Sequence, residues 1–232
     1  MVLVVAACGP GAPSPSSGGP AVTPSPDGTA VTRTLRYVAL GDSYTIGTSV
    51  RIAERWPDQL VAMLGAEPPT LELVANLAVN GFTSADALAV ELPALEAHEP
   101  DFVTLLIGVN DIVRGVPEAT YRRNVGVILD ALAGRVGADR VIVVTTPDYT
   151  VTPAGADYGD PAEQAAGIRA FNAVLAGAAE ARGIVVVDIH DLSLRAATDR
   201  ALVARDGLHP SGAQYATWVE RIAPAVGSLL GR

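Results

Sequence analysis

Two short stretches near opposite ends of the chain carry residues that could react together. Gly41-Asp42-Ser43-Tyr44 puts a hydroxyl at a turn directly after an apolar run. Asp206-Gly207-Leu208-His209-Pro210-Ser211 puts an imidazole three residues beyond a carboxylate. A serine hydroxyl is a poor nucleophile at neutral pH and needs a base to take its proton. That base works best when a carboxylate fixes its tautomer and stabilises the cation it becomes. Ser43 as nucleophile, His209 as base and Asp206 as the base's partner would form one catalytic unit, provided the fold joins the two ends. The other two histidines are weaker candidates. His98 lies in a polar stretch and is expected at the surface. His190, in Asp188-Ile189-His190-Asp191, has no distinctive metal-ligand spacing and is expected in a surface or supporting role, with Asp188 a candidate contact of the catalytic loop.

The elements that must position these groups alternate between strand and helix. Short apolar runs at 35–40, 70–75, 101–107, 140–146 and 184–188 read as buried strands. Helical spacing is expected at 56–64, from Thr83 towards Pro93, at 117–132 with Pro117 in the first turn, at 161–182, and from Pro210 towards Leu230. This order predicts an α/β fold: a three-layer α/β/α sandwich around a central five-stranded parallel sheet. In such sheets the reactive groups lie beyond the carboxyl ends of the strands. Ser43, Asn110, Pro147 and Asp188 all fall there.

Two further stretches stand at strand ends: Asn76-Leu77-Ala78-Val79-Asn80-Gly81-Phe82-Thr83 and Gly108-Val109-Asn110-Asp111. Taken singly, each motif has a plain reading. Ser43 could cap a helix, Asn80-Gly81 and Asp206-Gly207 are turn signals, and Asn110-Asp111 could be a cap. Taken together and in this order, Gly-Asp-Ser, Gly-x-Asn-Asp and Asp-x-x-His-Pro resemble the SGNH hydrolases, also called the GDSL esterase/lipase family, over roughly residues 35–230. Tyr44 stands where the family name has Leu. The resemblance implies the family's flavodoxin-like fold and hydrolysis of small or short-chain carboxylic esters, acetyl groups on carbohydrates among them, through an acyl-enzyme on Ser43. It implies an oxyanion hole from the Ser43 N–H, the Gly81 N–H and the Asn110 side-chain amide. Gly81 lets substrate approach its backbone closely, and Asn110 offers two uncharged donors. Asp42 and Asp111 are expected to brace their loops. Acyl transfer and thioester hydrolysis share this machinery, and a non-catalytic, tethered polysaccharide-binding module is the alternative from another class.

Residues next to these groups are expected to line the substrate pocket: Tyr44, Thr45, Ile46, Phe82, Val109, Ile112, Tyr149 and Leu208. The loop 147–160, with Tyr149 and Tyr158, is expected to form one wall. No hydrophobic lid segment stands out, which favours short acyl chains.

The composition bounds the rest. Of 232 residues 49% are hydrophobic, which fits one packed domain over 33–232. The net charge of −9 has no basic stripe, so nucleic acid is not an expected partner. No cofactor and no metal site are expected: the single cysteine rules out Cys-based zinc sites, and no phosphate-cradling Gly-rich motif with Lys is present. Residues 1–8 resemble the tail of a bacterial lipoprotein signal, ending at Cys8. The Pro/Gly/Ser-rich 9–32 reads as a linker. Only seven residues precede Cys8 and none is Lys or Arg, so the signal's basic start lies upstream or the segment is a cloning remnant. The expectation is an exported protein, secreted or tethered to the cell envelope through a lipidated Cys8. Its oligomeric state is left open.

Overall fold

Alternate residues of the strands feed two separate cores, which is why the strand sequences are apolar almost throughout. The structure, a computed structural model, describes residues 1–5 and 33–232. The linker 9–32 and Cys8, with the signal-like and lipid-tether readings that depend on it, lie outside the described residues. The strands are β1 (Thr34–Gly41), β2 (Thr70–Asn76), β3 (Phe102–Leu106), β4 (Val141–Val144) and β5 (Val185–Val187). They form one five-stranded sheet in the order β2-β1-β3-β4-β5, with every neighbouring pair parallel. On β1, Leu35, Tyr37 and Ala39 face one core, and Val38 and Leu40 face the other. The period of two along a pleated strand produces this split.

Helices cover both faces. Between β1 and β2 come α1 (Ser43–Ile46) and α2 (Trp56–Leu64). Between β2 and β3 come α3 (Ser84–Asp86), one π-helical turn (Ala87–Glu91) and α4 (Leu92–Leu95). Then follow α5 (Val109–Val113) and α6 (Glu118–Val136) before β4, α7 (Pro161–Glu180) before β5, and α8 (His190–Ser193) and α9 (Gly212–Leu229) at the end. Trp56 and Leu60 of α2 and Tyr215, Trp218, Val219 and Ile222 of α9 fill the first core. Tyr121, Val125, Ile128 and Leu129 of α6 and Phe171, Val174 and Leu175 of α7 fill the second. Among the described residues no helix is long and apolar enough to cross a membrane.

Two helix starts and one helix end differ from the sequence reading. Pro117 occupies the N-cap of α6 rather than its first turn, with an extended ψ of 136°. Pro210 does not open α9: the Ala204 N–H donates to His209 O (2.7 Å) and the Ser211 N–H to Leu202 O (2.8 Å). These bonds hold 209–211 extended, and Ser211 caps the helix instead. The helix beginning at Thr83 runs past Pro93 by widening into the π turn, where the Leu92 N–H reaches Ala87 O five residues back. A proline ring clashes with the carbonyl four residues before it, and a π turn is one way to relieve that clash within a helix.

Because β1 sits between β2 and β3, successive crossovers leave its two sides in opposite directions. The ends of β1 and β3 therefore flank the point where an open α/β sheet has its ligand crevice.

Candidate active site

Ser43 is the first residue of α1, directly beyond β1, and is 8% exposed. Its N–H belongs to the first turn of a helix and has no intrahelical partner. Asp42 is the N-cap, fully buried, and its Oδ1 accepts the Tyr44 N–H at 3.0 Å. Gly41 has φ +148°, and a Cβ there would come within 2.3 Å of Leu106 O, so the chain can pass from β1 into this turn only at a glycine. The Gly41 N–H donates to Glu91 Oε2 at 2.9 Å. The π turn thus delivers a carboxyl 50 residues away to the foot of the nucleophile turn.

Burial dominates the acid groups here. It pushes the Asp42 carboxyl up to about 7; the Tyr44 N–H works against the rise and nearby Asp111 adds to it. Burial likewise pushes Glu91, 1% exposed, up to about 8, with the Gly41 N–H opposing. Asp111 is also raised by burial, although it accepts the Ser84 N–H (2.8 Å) and Ser84 Oγ–H (2.5 Å). Asp42 and Asp111 therefore brace their loops, as expected from the sequence.

The loop after β2 is tied to the loop after β3. Asn110 Nδ2 donates to Phe82 O at 2.9 Å, and its second N–H has only a longer contact, 3.4 Å, to Asp42 Oδ2. Arg114 Nη2 donates to Gly81 O at 2.7 Å. Gly81 takes φ +79°, a left-handed conformation that disfavours side chains.

The Asp206–His209 loop is held differently. Asp206 Oδ1 accepts the N–H groups of Leu208 and His209, both at 3.0 Å. Asp206 Oδ2 accepts His209 Nδ1–H at 2.7 Å and the Ser49 hydroxyl at 2.6 Å. Partial burial works to raise this carboxyl, but the donors from Ser49, Leu208 and His209 outweigh it and hold the group well below the usual range. The His209 ring lies 5.3 Å, centre to centre, from the Tyr44 ring.

One cavity of about 270 Å³ gathers these elements: Ser43, Gly81, Asn110 and His209 all line it. Of the expected pocket residues, Tyr44, Val109, Tyr149 and Leu208 also line it, as does Tyr158. Tyr149 donates its hydroxyl to Gln164 on α7 (2.6 Å), and the Ala154 N–H of the same wall loop donates to Gly207 O (2.9 Å). Ile46 and Phe82 do not line the cavity, nor do Thr45 and Ile112. Ile46 ends the one-turn α1, about 4.5 Å along the axis from Ser43, and Phe82 packs against the second core. Thr48, Asn80 and Val113 take the vacated places.

The remaining candidates stand apart. His98 is half-buried rather than exposed, and its carbonyl accepts Arg36 Nε–H. His190 faces buried Asp148, Nε2 to Oδ2 3.6 Å. Asp188 accepts the Thr145 hydroxyl and the His190 N–H, so its carboxylate serves the β5 end and not the 206–209 loop.

The sequence pattern of the GDSL-like Lipase/Acylhydrolase family matches residues 39–217. Among curated proteins, an arylesterase of Vibrio mimicus is 28% identical over 97 residues, spanning 42% of this chain and about half (48%) of that protein's length. Esterase TesA of Pseudomonas aeruginosa is 27% identical over 202 residues, 87% of this chain and 91% of that one. Among solved structures, a psychrotrophic esterase, EstA, from Pseudoalteromonas sp. has a TM-score of 0.65 at 21% identity and covers 85% of this chain and all of its own.

Proposed function

We propose that this chain, which belongs to the GDSL-like lipase/acylhydrolase family, is a carboxylic ester hydrolase that cleaves small esters through an acyl-enzyme on Ser43. The observation that carries the reading is the cavity itself. Ser43, Gly81, Asn110 and His209 line it together, and Asp206 stands behind the His209 ring at 2.7 Å.

In this mechanism His209 Nε2 takes the Ser43 hydroxyl proton as Oγ attacks the ester carbonyl carbon. Asp206, held anionic by its four donors, keeps the proton on Nδ1 and stabilises the imidazolium. The carbonyl π pair moves onto oxygen, and the oxyanion faces the N–H groups of Ser43 and Gly81 and the amide of Asn110, each such donor being worth about 10²–10³ in rate. Collapse re-forms the carbonyl and breaks the bond to the alkoxy oxygen, which leaves with the proton from His209. Water then attacks the acyl-enzyme, gives its proton to His209, and releases the acid as Ser43 recovers its proton. Buried Asp42 takes no proton in this cycle; its task is to hold the turn.

Hydrolysis of p-nitrophenyl acetate by the wild type and Ser43→Ala tests the assignment. The variant is expected to lose about 10³-fold or more in kcat/KM, and undiminished activity would remove Ser43 from its role. The modest cavity, below most drug-sized sites, supports a preference for acetyl to butyryl esters. A rate that climbs from acetyl through dodecanoyl would overturn the short-chain part of the proposal.

A further inference from the structure

Three residues beyond α1 form a turn bonded to the nucleophile turn, to the loop after β2 and to the terminal catalytic loop. The Gly47 and Thr48 N–H groups both donate to Ser43 O at 3.1 Å, so the turn hangs from the nucleophile's own carbonyl. The Thr48 hydroxyl donates to Asn80 Oδ1, next to Gly81. The Ser49 hydroxyl donates to Asp206 Oδ2 at 2.6 Å, the same oxygen that accepts His209 Nδ1–H. Two consecutive hydroxyls thus clip the loop after β2 and the terminal catalytic loop to the nucleophile turn. Ser49 does this at φ +67°, a backbone conformation uncommon for a residue with a side chain. Such strain persists where the surrounding structure enforces it, and it gathers at functional sites.

We propose that Ser49 is a positioning residue for the base, acting through Asp206 on His209. The proposal rests on the Ser43–His209–Asp206 assignment made above. Asp206 Oδ1 is fixed by two backbone N–H groups, which leaves rotation of the carboxylate to be stopped at Oδ2. Ser49 stops it there and sets where Oδ2 meets the imidazole. It also shares the negative charge of that oxygen. Without the hydroxyl the carboxylate swivels, the ring follows it, and the charge falls more fully on the imidazolium.

The test uses the full chain and p-nitrophenyl acetate. Ser49→Gly removes the hydroxyl and relieves the positive φ, which separates catalysis from folding. Ser49→Gly is expected to lower kcat about tenfold, the scale of a hydrogen bond to a charged group, with KM within twofold. The acid limb of its kcat/KM profile moves to higher pH, and its melting temperature does not fall. In an Asp206→Asn background the same change should alter kcat by less than twofold, because the path runs through that carboxylate. Wild-type kcat with an unmoved acid limb in Ser49→Gly, a full tenfold loss in the Asp206→Asn background, or a melting temperature that drops in step with kcat would each overturn the proposal. Ser43→Ala run alongside separates the cases: an inactive Ser43→Ala with an unaffected Ser49→Gly removes only the Ser49 role.

Discussion

The turn that carries Ser43 and the loop that carries His209 hold their reactive groups by opposite physics. Around Ser43 the supporting carboxyls of Asp42 and Glu91 are shut away from water and pushed up to about 7 and about 8. Around His209 the supporting carboxylate of Asp206 lies near the surface, saturated with donors and pushed down. A nucleophile needs a rigid, crowded turn that no water disturbs, and an uncharged buried carboxyl can brace such a turn without the cost of burying a charge. A base needs a permanent anion beside it, and an anion is maintained most cheaply where hydrogen bonds and solvent both reach it.

The contrast predicts that damage to the two regions appears in different measurements. The largest effect belongs to the exposed side. Asp206→Asn should lower kcat/KM by about 10³–10⁴-fold, a loss well beyond what its cost in denaturant unfolding accounts for. A variant that unfolds instead would show that the loop, too, is structural at heart. Next is Gly41→Ala, whose Cβ would press on Leu106 O at a backbone φ of +148°. It should destabilise the fold by about 3 kcal/mol or more, read as a shifted denaturant midpoint.

Third, the pH dependence of stability should divide by region. Glu91 and Asp42 bind protons more tightly in the folded than in the unfolded chain. Their contribution is complete below the unfolded carboxyl values and is lost as pH rises towards 7 and 8. For Glu91 the slope approaches about 1.4 kcal/mol per pH unit between roughly pH 4.5 and 8. Glu91→Gln should flatten that decline, and a wild-type curve already flat over this range would break the comparison. Asp206 has the opposite sign: its contribution is present above the unfolded value and disappears in acid. The smallest effect is expected at Ile46, outside the cavity, where Ile46→Ala should leave KM within twofold for acetyl esters.

Much of this was legible in the sequence because its signals are local. Apolar runs ending in Gly41 and Gly108 announced strands and the turns after them, and the three-residue spacing of Asp206 and His209 placed both on one loop turn. The parallel sheet followed from those signals, and the expectation that Ser43, Gly81, Asn110 and His209 meet at one site followed from the family resemblance that the motifs carry as a set. What escaped lies in contacts with no local trace. Ser49 meets Asp206 across 157 residues and Glu91 meets Gly41 across 50. Arg114 reaches Gly81 O from the far side of β3. Neither partner's neighbours mark such a pair. Ile46 and Phe82 were misplaced because adjacency in sequence says nothing of where a one-turn helix or a tight loop points its next side chain. Pro210 was misplaced because a proline that could start a helix can equally stay extended when backbone bonds on both sides hold it there.

The bond from Ala154 to Gly207 has a consequence for how this cavity could be widened. The aromatic wall and the segment bearing the imidazole are joined through their main chains, so a wall that yields to a bulkier acyl group pulls the proton acceptor out of alignment. Selection for broader substrate range through the 147–160 loop should therefore meet a falling turnover number. Breadth gained at Val113, a cavity-lining residue at the end of α5, does not act through that main-chain bond.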